Sequence, residues 1–152
     1  MNSQVLDDIF GGVGNGVLDL FVSERSDWKG SKARRLNVGL GTMDFDAIFA
    51  GALKSIGLEP VDTSGHYDGE KYEANWQQFK SKLPQFPMLT TYQDMYQDYI
   101  HDPNQIASLR KECQTLQEQI GLAGDADLAL RKLIYGCEEA SNVNGYLIFV
   151  CD

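Results

Sequence analysis

DPNQIASLRKECQTLQEQIGLAGDADLALRKLIYGCEEASNVNGYLIFVCD, residues 102–152, is the stretch whose reading decides the fold. Asp102 precedes Pro103 and lies three residues ahead of Gln105. That order supplies a side-chain N-cap, a proline at the first helical position where no amide partner is needed, and a glutamine that returns a hydrogen bond to the cap. Ile106, Leu109, Cys113, Leu116 and Ile120 then recur at steps of three and four, which predicts a helix over 103–120 with one narrow apolar stripe, closed by Gly121. Leu128, Leu130, Leu133, Ile134, Cys137 and Ala140 form a broader stripe and predict a second helix over 126–141, buried between two neighbours. After a turn at 142–145, the run Tyr146-Leu-Ile-Phe-Val-Cys151 is apolar on both faces and predicts a strand inside a sheet.

Its partner is expected near the other end of the chain. Val17-Leu-Asp-Leu-Phe-Val22 has strand composition, and Leu36 to Leu40 is a second short candidate. Phe45, Ile48, Phe49, Ala52, Leu53 and Ile56 share one face of a helix predicted over 44–56, with Gly57 as its C′ residue and Asp44 and Asp46 favoured in its first turn by the helix dipole. Tyr72, Trp76, Phe79 and Leu83 mark another helix over 70–83, ended by the Pro84 and Pro87 break. Tyr92, Met95, Tyr96, Tyr99 and Ile100 suggest a short helix over 91–100, whose other side would align Asp94, Asp98 and Asp102. Val5, Leu6, Ile9 and Phe10 suggest a further short helix before the glycine-rich stretch 11–16. The expected architecture is α+β, a mainly helical single domain over 1–152 with a small β-sheet that includes the C-terminal strand.

Composition narrows the partners. The 152 residues contain 13 Lys and Arg against 22 Asp and Glu, a formal charge of −9, which disfavours phosphate backbones and anionic lipid headgroups. Nucleic acid and membranes are therefore not expected partners, and the local basic run of Lys29, Lys32, Arg34 and Arg35 reads as solvated surface. Three cysteines without CxxC spacing read as reduced, buried thiols. Together with an N-terminus lacking a basic n-region and the absence of any apolar run of bilayer length, they place the protein in the cytoplasm as an expectation.

Catalytic chemistry has few candidates. The stretch Gly11-Gly-Val-Gly-Asn-Gly16 lacks the preceding strand and following Lys-Ser or Lys-Thr of a phosphate loop, so it reads as a turn. His66, in a glycine-rich loop, is the residue around which a small enzyme site would be built. Asp94, Asp98, His101 and Asp102 have spacing for hard-metal ligands on one helix face, but equally form a solvated helix ending in an N-cap; Glu138 and Glu139, adjacent on a helix, point apart. No catalytic residue, cofactor or metal is assigned. Interleaved tyrosines and carboxylates instead suit a protein interface, with rings for contact area and acids to steer a basic partner. The residues assigned to it are Tyr92, Asp94, Tyr96, Asp98, Tyr99 and Asp102.

Leu109-Arg-Lys-Glu-Cys113, Ala129-Leu-Arg-Lys-Leu-Ile-Tyr-Gly-Cys-Glu-Glu-Ala140 and the terminal Leu147-Ile-Phe-Val-Cys-Asp152 resemble the C-terminal part of small acidic bacterial proteins of the immunity type. The resemblance covers about a third of the chain. It implies a non-enzymatic protein that neutralises a basic toxin, such as a nuclease, by direct contact. A small enzyme at His66 and a structural or oligomeric subunit are the alternative expectations.

Overall fold

The computed structural model describes residues 18–30, 33–63 and 69–151. The short helix expected over 5–10, the glycine-rich stretch 11–16, Lys32 and His66 all lie outside them. Four strands, β1 (Leu18–Ser23), β2 (Arg34–Leu40), β3 (Tyr99–His101) and β4 (Tyr146–Cys151), form one antiparallel sheet in the order β2-β1-β4-β3. With them are four α-helices among the described residues: α1 (Thr42–Ser55), α2 (Gly69–Lys82), α3 (Pro103–Thr115) and α4 (Asp125–Asn142). This is the expected α+β class, with the C-terminal strand inside the sheet.

β4 is central because both its faces are apolar. It pairs with β1 from Leu18↔Cys151 to Ser23↔Tyr146 and with β3 from Tyr99↔Phe149 to His101↔Leu147. Alternation sends Leu18, Leu20 and Val22 of β1, Leu36, Val38 and Leu40 of β2, and Leu147 and Phe149 of β4 into the core. The opposite face carries the row Arg35, Phe21, Ile148 and Ile100, set by the pairings Phe21↔Arg35, Phe21↔Ile148 and Ile100↔Ile148. A bulge between Asp19 and Phe21 breaks the β1–β2 ladder, and Asn37 opposite it has a φ of 59°.

α4 packs against β1, β2 and β4 as well as α1 and α3, which accounts for its broad stripe. Gly136 makes that contact possible. A Cβ there would lie 2.9 Å from a Leu20 methyl and 3.2 Å from a Leu147 methyl, so the helix sits on the sheet at its side-chain-free position. Lys132, buried on the same helix, reaches the Gly39 carbonyl at 3.2 Å and the Asp44 carboxylate at 3.4 Å, tying α4 to the end of β2 and the start of α1.

Helix ends follow their local chemistry. Asp44 accepts from the Gly41 amide at 2.7 Å at the head of α1, and Gly57, with φ 83°, closes α1 as the amides of Gly57 and Leu58 return to the Lys54 and Leu53 carbonyls. Asp102 caps α3 with its carboxylate on the Gln105 amide at 2.9 Å, and Gln105 answers on the Asp102 amide at 3.0 Å. The stripe expected over 103–120 holds, but the backbone widens after Thr115 into a π-turn, Leu116–Ile120, ended by Gly121.

One expected helix is absent. Residues 91–100 form no α-helix: a 3-10 turn at Leu89–Thr91 runs into bends and then into β3. Tyrosines at three- and four-residue spacing imitated an amphipathic stripe, yet Tyr92 and Met95 are held inward by tertiary contacts while residues 99–101 pair with β4.

Candidate partner-binding surface

The segment 88–98 crosses between α2 and α3 and is held in place by side chains from both. The Glu112 carboxylate of α3 accepts from the Met88 and Leu89 amides at 2.9 and 3.0 Å. From α2, Trp76 Nε1 donates to the Thr90 carbonyl at 2.9 Å and the Tyr72 hydroxyl donates to the Tyr92 carbonyl at 2.6 Å. At the far end the Asp98 carboxylate accepts from the Cys151 amide of β4 at 2.8 Å.

Tyr92 is the anchor of the segment and does not belong to its surface. Its ring is fully buried, 4.8 Å from Phe45, 5.1 Å from Phe149 and 5.2 Å from Tyr99 between ring centres. Its assignment to a contact surface is corrected on that ground. Its hydroxyl meets His101 Nε2 at 2.6 Å. His101 is also buried, and burial lowers its pKa from the usual 6.5 to about 4.

The other assigned residues divide by geometry. Asp94, Asp98 and Asp102 do not form a row, because the helix that would align them is not there. Asp94 accepts from the Tyr96 amide at 2.8 Å and shapes the bend; Asp98 faces the end of β4; Asp102 is committed to the α3 cap. Tyr99 is half-buried, and its hydroxyl donates to the Asp94 carbonyl. Tyr96 is 64% exposed, an unusual degree for so large a ring.

Asp94 and Tyr96 do meet partners that pattern reading missed. With Glu70 and Glu73 from the first turns of α2, and Gln93, they line a cleft of about 610 Å³ floored by Tyr72 and Met95. Gln93 crosses it to Glu73 at 3.1 Å. The cleft therefore carries three carboxylates and one exposed phenol ring. Nothing in the spacing of residues 70–73 and 94–96 announces their meeting, since it depends on Tyr72 and Trp76 pulling the segment onto α2.

A second cleft, of about 530 Å³, lies between α1, residues 59–63 and the start of α4, and is lined by Asp44, Asp46, Lys54, Glu59, Asp62 and Asp125 among others. Its deepest carboxylate is committed to the fold. Asp46, 3% exposed, accepts from the Thr63 hydroxyl and from Asn75 Nδ2 at 3.0 Å, while Asn75 also exchanges hydrogen bonds of 2.8 and 2.9 Å with the Val61 backbone. Its role is thus a buried link between α1, α2 and the loop, beyond the favourable first-turn charge expected from the sequence.

The basic residues of β2 are paired. Arg35 reaches Asp19 at 3.1 Å and Arg34 reaches Glu139 at 3.7 Å. Cys113 and Cys137 are buried, and burial raises the Cys113 thiol well above its usual range and Cys137 to about 12, so both stay protonated and unreactive. Cys151 is only half-buried, contrary to the expectation for all three. Among the described residues no group of three His, Cys, Asp or Glu side chains gathers to hold a metal, and no helix is long and apolar enough to cross a membrane. No protein family, curated protein or solved structure matches this chain.

Proposed function

We propose that this chain is a single-domain cytoplasmic binding protein of the immunity type, which neutralises a basic toxin, for instance a nuclease, by covering part of its surface. The contact is made by the cleft between α2 and the 93–98 bend. Tyr96 supplies an amphipathic ring for a basic side chain to stack on, and Glu70, Glu73 and Asp94 supply the opposing charge. Asp98 and Tyr99 flank this centre, Tyr92 anchors the segment from the core, and Asp102 caps α3 next in the chain.

The observation that carries the reading is the exposure of Tyr96, at 64%, on the rim of an acidic cleft. Large rings so placed are enriched at interface centres, and an overall charge of −9 favours encounter with a cationic protein. The test uses the protein encoded beside this chain's gene, purified in a catalytically inactive form and titrated calorimetrically. Binding by the wild type and at least a tenfold loss in the double variant Glu73→Lys/Asp94→Lys are expected. Unchanged affinity would assign the contact elsewhere on the protein. No binding by the wild type would remove the immunity reading.

A further inference from the structure

The segment that carries Asp94 and Tyr96 rests on a buried pair whose hydrogen bond is better satisfied in one direction than in the other. His101, 2% exposed on β3, meets the Tyr92 hydroxyl through Nε2, and its Nδ1 has no partner. If the phenol donates to a neutral Nε2, one polar group is left over, the Nδ1 hydrogen. If Nε2 carries the hydrogen, two are left over, the Nδ1 lone pair and the phenol hydrogen. Counting unsatisfied groups therefore selects the Nδ1–H tautomer, with Tyr92 as donor.

Protonation removes that arrangement. Nε2 becomes a donor that the phenol can meet only by accepting, which turns the phenol hydrogen toward Phe45, Phe149 and Tyr99, rings that offer no full acceptor. The titratable groups around the pair are Asp102, Glu112 and Cys113 of α3, Tyr99 of β3 and Cys137 of α4, while β4 contributes the Phe149 ring. The Gln105 side chain and, less strongly, the Asp102 charge favour the imidazolium, but the Gln105 oxygen is held by the Asp102 amide at 3.0 Å and the Asp102 carboxylate by the Gln105 amide at 2.9 Å; Glu112 is bound to the Met88 and Leu89 amides. None of them is free to close on the ring.

We propose that Tyr92 and His101 are an acid-sensitive latch: protonation of the imidazole expels the Tyr92 side chain and releases the bend at 92–98 while the sheet and α4 stay folded. The window runs downward from pH 6.5, the ordinary histidine value, to about 4, where burial places His101. Glu112 stands at the other end of the segment. Burial raises its pKa, while the Met88 and Leu89 amides that its carboxylate accepts from lower it. The latch concerns the conformation of this chain alone and holds whether or not the cleft binds a toxin.

The experiment is a pH titration of the full isotopically labelled chain by NMR. The His101 ring and the amides of residues 92–98 are expected to change with one shared midpoint between pH 6.5 and 4, while amides of β1 and α4 keep their positions. His101→Gln, which offers an amide oxygen to the phenol and does not titrate, abolishes the shared transition. Tyr92→Phe, which removes the hydrogen bond favouring neutral His101, moves it up by about one pH unit, a tenfold change in the opening equilibrium. A segment unchanged to pH 4, unfolding of the whole chain in the same step, or an unaltered transition in His101→Gln would each overturn the latch. Should His101→Gln fail to fold, an unmoved midpoint in Tyr92→Phe overturns it instead.

Discussion

Glu112 illustrates how a single side chain sets a path for the backbone. Its two oxygens take the consecutive amides of Met88 and Leu89, which the turn at Leu89–Thr91 leaves without helical acceptors. Glu112→Ala is expected to destabilise the protein by about 2–4 kcal/mol, because one buried and one part-buried donor lose their partner. Glu112→Gln, which keeps one acceptor oxygen, costs less than half of that. Urea denaturation at neutral pH measures both, and a change in Glu112→Ala below about 0.5 kcal/mol, the usual range for a surface substitution, would show the clamp to be idle. His101 gives the stability a pH dependence of definite sign. Its folded value of about 4 lies below the ordinary 6.5, so its contribution is complete above pH 6.5 and is lost as pH falls toward 4, by up to about 3 kcal/mol. The matching experiment compares urea midpoints at pH 7 and 4.5, where the wild type loses more stability than His101→Gln.

The elements were legible from the sequence where one physical cause governed each of them. The cap at Asp102 and the stripe behind it rest on local hydrogen bonding and burial of a single face, and both recur in the structure. Asp102→Ala should lower stability by about 1 kcal/mol, measured by thermal unfolding, with the same loss in a Gln105-truncated background only if the two halves of the capping box act independently. The spacing of residues 91–100 suits a helix, but their hydrogen-bond partners lie on α2, β3 and β4, where no local pattern can register them. A strand of three residues, Tyr99–His101, has too few positions to show alternation; it exists because β4 has an edge to fill. The cleft followed the same rule. Tyr96 and Asp94 were identified by composition, but Glu70 and Glu73 became visible only when α2 was placed beside them. The contact of α4 with the sheet is equally non-local. Gly136→Val should destabilise by about 1–3 kcal/mol, since even its Cβ would lie 2.9 Å from a Leu20 methyl and 3.2 Å from a Leu147 methyl, inside contact distance. Near-wild-type thermal stability would mean that α4 can lift off the sheet freely.

For the whole molecule, charge acts at long range and packing at short. The two clefts are both acidic, and the excess of 22 carboxylates over 13 basic groups leaves a negative field around them. Association with a cationic partner should therefore slow by roughly tenfold or more between 20 mM and 500 mM salt, as the screening length shrinks from tens of ångströms to a few, with dissociation nearly unchanged. Stopped-flow mixing separates the two rates, and a salt-independent association rate would argue for an apolar contact instead. Apolar packing, by contrast, places its heaviest demand on sequence separation. The central ladder joins residue 18 to residue 151 and residue 23 to residue 146, so the middle of the sheet is made by segments from opposite ends of the described chain. During synthesis β1 emerges early and has β2 as its neighbour on one side, but its other edge stays open until residues 146–151 leave the ribosome. For that interval the backbone edge of Leu18–Ser23 that β4 will cover has no partner from β4. Closure of the sheet therefore has to bridge more than 120 residues of chain, the kind of non-local pairing that slows folding.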